Sequence, residues 1–125
     1  MSTNEIRTFY LLNHARNYND FKEALRLYKC PGQNFAYADV SGNIGIWQQG
    51  DFPLRHDDEG KFILPGDDSR YLWKCYIPFL ENPHAFDPPE NYLYSANQNP
   101  SDSTYPYTNL GHFNQFRARR IARVL

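Results

Sequence analysis

Two β-rich runs flanking a Gly-containing turn constrain this chain more than any other feature. The first is Asn34-Phe35-Ala36-Tyr37-Ala38-Asp39-Val40 and the second is Asn43-Ile44-Gly45-Ile46-Trp47-Gln48, with Ser41-Gly42 between them. Such a pattern predicts a hairpin. Side chains alternate faces along a strand, so Phe35 and Tyr37 share one face and Ala36 and Ala38 the other. One face therefore carries rings, and the other expects a close-packed cover.

Helical patterns precede the hairpin. Residues 5–14 place Ile6, Phe9, Tyr10 and Leu12 on an imperfect helical stripe, which Asn17-Tyr18-Asn19 breaks. Asp20 and Glu23 have the spacing of a capping box. Phe21, Ala24, Leu25 and Tyr28 then follow at i, i+3, i+4 and i+7, setting one helix face against a core until Cys30-Pro31-Gly32 stops it. After the hairpin, residues 50–70 are rich in Gly, Pro and acid and read as loop. Their acids suit either a solvated turn or a hard cation, but they lack the odd-position spacing of a calcium loop. Residues 71–79 and 92–96 look strand-like, joined by a Pro-rich connector through Pro88-Pro89.

What would fill a core here is unusual. Ten Tyr, nine Phe and two Trp stand against eleven Leu, six Ile and two Val. Much of the apolar surface must come from aromatics, with Tyr hydroxyls that need partners. Nine Pro and seven Gly add irregular backbone, which suits a piece of a larger assembly as well as a free-standing unit. Thirteen basic and fourteen acidic side chains leave a net charge of -1, against a chain whose main partner is nucleic acid. The apolar runs fall far short of the roughly 20 residues of a membrane span, and residues 1–5 lack a basic-then-apolar leader. Cys30 and Cys75 sit in no metal or redox spacing and read as buried free thiols or, alternatively, a disulfide. His14, His56, His84 and His112 are dispersed, unlike the close pairs that bind zinc.

The last segment, residues 113–125, has helical composition. At 100° per residue Arg119 and Arg123 fall on a polar side, but Arg120 projects within the arc of Phe113, Phe116 and Val124, with Arg117 at its edge. An arginine there is either paired and hydrogen-bonded, or lays its stem on apolar surface with its head in water.

In order along the chain, these pieces resemble the penicillin acylase family, the self-processing N-terminal-nucleophile amide hydrolases. The resemblance is carried by Asn19-Asp20-Phe21 with Ala24-Leu25, Pro31-Gly32-Gln33-Asn34, Tyr37-Ala38-Asp39 and Gly42-Asn43-Ile44-Gly45. It continues through Phe52-Pro53-Leu54-Arg55, Leu64-Pro65-Gly66, Trp73-Lys74, Tyr76-Ile77-Pro78-Phe79, Ser95-Ala96-Asn97-Gln98 and Arg117-Ala118-Arg119-Arg120-Ile121. It implies an α+β fold forming part of an αββα sandwich, with a hairpin, short strands, long Pro/Gly loops and flanking helices. Residues 1–125 are then a single partial domain, an internal segment of a β-subunit.

In that family a Ser exposed by autoproteolysis attacks the substrate amide, its own α-amine serves as base, and an Asn amide stabilises the oxyanion. Asn97 matches the oxyanion Asn; read alone, it is a turn-forming Asn. Arg120 matches an Arg that supports the active site. Gln33, Asn34, Asp39 and Asn43 read as fold determinants. The family binds a structural calcium mostly through residues outside this segment. Asn109 lies near a position where relatives offer an acidic ligand, so no cofactor is expected in the segment itself, and calcium belongs to the intact parent.

The nucleophile is expected upstream of the segment, making it inactive alone, with the α-chain and the remaining β-chain as partners and a small N-acyl compound as the parent's substrate. Apolar patches left open would favour self-association. Two alternatives stand beside this: a non-catalytic binding domain of the same lineage, and an active hydrolase using Ser2. Compartment stays open, although relatives are commonly exported.

Overall fold

The computed structural model of the chain describes residues 4–55, 60–109, 111 and 113–125. Ser2, His56, His112 and the acids 57–59 of the loop lie outside the described residues. Two helices open the fold, α1 (Glu5–Leu12) and α2 (Tyr18–Leu25). The cap of the second is Asn17, three residues before the expected Asp20. Its side chain accepts from the Asp20 backbone N–H at 2.9 Å, and its Nδ2 donates back to Asp20 Oδ2 at 3.1 Å. Asp20 thus closes the cap from the third helical position. The predicted apolar face holds, since Phe21, Ala24 and Leu25 are buried and Tyr28 is buried just beyond the helix. Replacing Asn17 with Ala is expected to lower stability by about 1 kcal/mol, read from the urea midpoint at constant m.

The hairpin forms as read, with β1 (Gln33–Ala38) antiparallel to β2 (Ile44–Gln49) and Phe35 opposite Trp47. A third strand, β3 (His84–Phe86), pairs on the far side of β2 and completes the order β1-β2-β3. The alternation decides which face is covered. Phe35, Tyr37 and Trp47 turn toward α2, where Phe21, Leu25 and Trp47 form a cluster walled by Leu12, Ala15, Tyr18 and Phe79. Ala36 and Ala38 remain exposed on the opposite face. The core is largely ring on ring: Trp47 lies between His84 and Phe79, with centroids at 4.2 and 4.8 Å, and Tyr18 stacks on Phe86 at 4.0 Å.

The turn is longer than two residues. Asp39 organises it, accepting from the Ser41 and Asn43 backbone N–H groups at 2.8 and 3.1 Å, from Asn43 Nδ2 at 2.7 Å and from Tyr37 Oη at 2.9 Å. Val40, read as strand, is fully exposed in this loop, and Gly42 takes φ of 90°, where a side chain would be strained. The Asn43 side chain, with Tyr37 and the two backbone donors, holds the Asp39 carboxyl below its ordinary value of 3.8 against opposing desolvation. A depressed folded pKa means its contribution is complete above the unfolded pKa and is lost as pH falls through the folded one. Thermal midpoints should therefore drop on acidification below about pH 4. The slope should be shallower in Asp39→Asn.

Two strand expectations fail for local reasons. Residues 71–79 make only an isolated Pro53–Tyr76 bridge, between 3₁₀ turns at Ser69–Tyr71 and Phe79–Glu81. Pro78 has no N–H to extend the pairing. Residues 92–96 form no strand, because side chains take up their backbone groups, as described below. Conversely, β3 lay hidden in the Pro-rich connector. It is held at its ends by Gln48 N–H on Pro83 O and Asp87 N–H on Ile44 O, both 2.9 Å.

The C-terminal helix is α3 (Phe116–Ala122). Its buried residue is Ala118, at 4% exposure, whereas Phe116 is 81% exposed. The arc that contained Arg120 therefore faces outward. Arg120 is exposed, in line with the alternative of a guanidinium in water rather than a paired, buried arginine. Cys30 and Cys75 are exposed free thiols, neither buried nor bridged.

Candidate functional site

Where β1 begins, residues of the irregular segment 95–100 and of the sheet line an open groove of about 490 Å³. Its walls are amide-rich: Gln33, Asn34, Gln48, Asn97 and Gln98, with Gly32, Ser95, Pro100, Gly111 and Phe113. Two glycines let the chain approach closely here. A Cβ on Gly50 would come within 2.9 Å of Gly32 Cα, so the backbone behind the groove has no room for side chains.

Asn97 is held in the left-handed region at φ of 60°, which Asn tolerates better than most residues. Its side-chain oxygen accepts a hydrogen bond from Arg117 Nη2 on α3. That bond assigns the amide: with Oδ1 occupied by a cation, the NH2 is left as the outward donor. A donor amide whose oxygen faces a guanidinium is also polarised toward stronger donation. The expected pair was Asn97 with Arg120; the structure brings Arg117 to Asn97. Arg120 is neither on the groove wall nor, among the described residues, in an ion pair. Arg117 was legible only as the edge of the helical arc. Its partner lies 20 residues away, beyond the reach of helical periodicity.

Three of the four residues read as fold determinants, Asn34, Asp39 and Asn43, hold the frame. Asp39 and Asn43 build the turn, and Asn34 reaches from β1 to Ser95, donating to its Oγ at 2.7 Å. Ser95 is the one hydroxyl on the groove wall, and no His, Lys or carboxylate lines it among the described residues. The described walls therefore offer amide donors that suit a developing negative charge. Tyr105 lies on a neighbouring hollow. Burial, then the charges of Tyr107 and Glu81, pushes its phenol up to about 12, so it stays protonated at neutral pH.

Among the described residues no three His, Cys, Asp or Glu come together as a metal-holding group. Asn109 uses its amide NH2 on Ser101 Oγ at 2.6 Å and on Asn99 Oδ1 at 3.4 Å.

The segment is thus a small mixed α/β unit with an arginine-bonded amide at the rim of an open groove. Comparison with known proteins gives its family. The penicillin amidase family model matches residues 1–125. The acyl-homoserine lactone acylase QuiP of Pseudomonas fluorescens Pf-5 is 37% identical over 90 residues, covering 72% of this chain and 11% of that protein. The penicillin G acylase of Escherichia coli is 33% identical over 92 residues, covering 73% of this chain and again 11% of the relative. Among solved structures, the thermostable penicillin G acylase from Alcaligenes faecalis aligns with a TM-score of 0.69 at 26% identity, over 94% of this chain and 23% of that one. The chain belongs to the penicillin amidase family. It spans about a tenth of the length of these curated relatives.

Proposed function

We propose that this chain is the segment of an N-acyl amide hydrolase that stabilises the tetrahedral intermediate, with Asn97 as the oxyanion donor. The observation that carries the reading is the orientation of Asn97 by Arg117 at the edge of a groove rich in amide donors. The nucleophile, a Ser bearing its own α-amine as base, comes from another part of the acylase. On attack, the carbonyl oxygen becomes an anion, and Asn97 Nδ2 donates to it while the Arg117 cation lies behind the same amide. A neutral donor backed by a charge strengthens as the anion develops, which favours the transition state over the ground state. Collapse then releases the amine, and water frees the acyl group.

The exposed alanine face of the sheet supports assembly into an αββα sandwich, since such a face must be covered by another layer. That cover, the α-chain and the remaining β-chain are the partners proposed. The named relatives act on acyl-homoserine lactones and on penicillin G, whose common chemistry is a carboxylic acid joined to an amine by a linear amide. The substrate class proposed is accordingly a small N-acyl compound. Arg120, exposed and off the groove, retains at most a role at that interface, and Arg117 takes the supporting position next to Asn97.

The test is turnover of an N-acyl amide by the acylase assembled with this segment. Arg117→Met should lower kcat about tenfold or more with KM little changed, because the Asn97 amide loses its fixed orientation. Unchanged kcat in Arg117→Met alongside a large loss in Arg120→Met would return the supporting role to Arg120.

A further inference from the structure

A non-glycine residue in the left-handed region needs surroundings that hold it there, and at Asn97 one side chain does this. Gln98 folds back on the backbone that precedes Asn97. Its Oε1 accepts from the Ala96 N–H at 2.6 Å, and its Nε2 donates to the Tyr94 carbonyl at 3.0 Å. One side-chain amide thus takes the place of a neighbouring strand, satisfying an acceptor and a donor two residues apart. The segment then has no reason to join a sheet, which is why 92–96 is irregular despite its strand-like composition. Between these two points, Ser95 is tied to β1 through Asn34 Nδ2 at 2.7 Å, and Ala96 is buried at 3% exposure. Residues 94–98 are therefore clamped from both sides, and Asn97 projects from the clamp.

We propose that Gln98 is a positioning residue for the amide hydrolysis, acting through Asn97 by clamping the Tyr94 carbonyl and the Ala96 N–H so that the Asn97 amide is presented at the groove. This rests on the reading of Asn97 as the oxyanion donor. Gln98 touches neither substrate nor reacting atoms in this role. Its effect is geometric, and a displacement of about 1 Å at a catalytic donor can cost as much as 10²-fold in rate. Arg117 orients the amide group about its own bond; Gln98 sets where the backbone delivers it.

The experiment is a double-mutant cycle in the assembled acylase, with kcat and KM for an N-acyl amide measured on folded enzyme, thermal midpoints recorded alongside. Gln98→Met keeps the length of the side chain and removes both hydrogen bonds. It should lower kcat about 10- to 100-fold with KM within about twofold. Gln98→Glu keeps the acceptor for Ala96 N–H and loses the donor to Tyr94, so it should fall between Met and wild type, and it serves if the Met variant does not fold. In an Asn97→Ala background either substitution should cost almost nothing further, since its route to the chemistry is already gone. A structural role alone would lower kcat by the same factor in both backgrounds, and that result overturns the proposal. So does an unchanged kcat at position 98 when Asn97→Ala is severely impaired. If Asn97→Ala itself leaves kcat intact, it is the oxyanion reading that fails.

Discussion

Asn97→Ala in the acylase assembled with this segment is expected to lower kcat for N-acyl amide hydrolysis by about 10² to 10³, the range for losing one oxyanion donor. The physical reason is selective. A ground-state carbonyl oxygen asks little of Asn97 Nδ2, whereas the tetrahedral anion asks a great deal, so the loss falls on kcat and leaves KM near its original value. Asn97→Asp is the sharper variant. It retains size and the left-handed preference but replaces the donor with a carboxylate, which pairs with Arg117 and repels the oxyanion. Its rate should be no better than that of the Ala variant. A rise in KM with kcat unchanged in both variants would place Asn97 in substrate binding and remove it from the chemistry. Because the residue is exposed at the groove, neither change should move the thermal midpoint by more than a few degrees.

The second large effect is on stability and needs no substrate. Trp47→Ala should destabilise the chain by about 3 to 5 kcal/mol, a large share of the 5 to 15 kcal/mol typical of a domain. Trp47 is 2% exposed, faces Phe35 across the hairpin, and is stacked between Phe79 and His84. Removing it empties the centre of the ring-rich core. Those contacts connect β2 to β3 and to the 3₁₀ turn at Phe79–Glu81, so the loss should be cooperative rather than confined to one strand. Leu25→Ala, in the same cluster, should cost about 2 to 5 kcal/mol. The double variant should depart from additivity because the two sites share neighbours. Urea unfolding followed by far-UV circular dichroism measures both. A loss below about 1 kcal/mol for Trp47→Ala would mean the core is not organised around it.

How much of this was readable beforehand follows from the range of the forces involved. The hairpin and the buried face of α2 were legible because strand alternation and helical spacing are local, and Phe35, Tyr37, Phe21 and Leu25 obey them. The α2 cap shifted to Asn17 because two overlapping cap patterns lay three residues apart, and only the geometry of Asp20 separates them. Strand β3 escaped notice because Pro83 and Asp87-Pro88 disguise its three residues, which pair through β2 rather than through any pattern of their own. Residues 92–96 misled for the opposite reason. Their composition suits a strand, but the Gln98 side chain satisfies the backbone first. At the candidate site, the Ser95-Ala96-Asn97-Gln98 motif draws attention to Asn97, whereas which arginine bonds to it depends on how α3 docks. Its arc was misread because an exposed Phe116 counts as apolar on a helical wheel and yet faces water.

An oxyanion donor supplied by this segment must meet a nucleophile carried elsewhere in the acylase. Amine release from an N-acyl amide tests this most directly, measured for this chain alone, for the complementary part of the acylase alone, and for the two together, with wild-type and Ser2→Ala chains. Turnover is expected only in the combined sample and at the same rate with either chain. Turnover by this chain alone, abolished by Ser2→Ala, would contradict it.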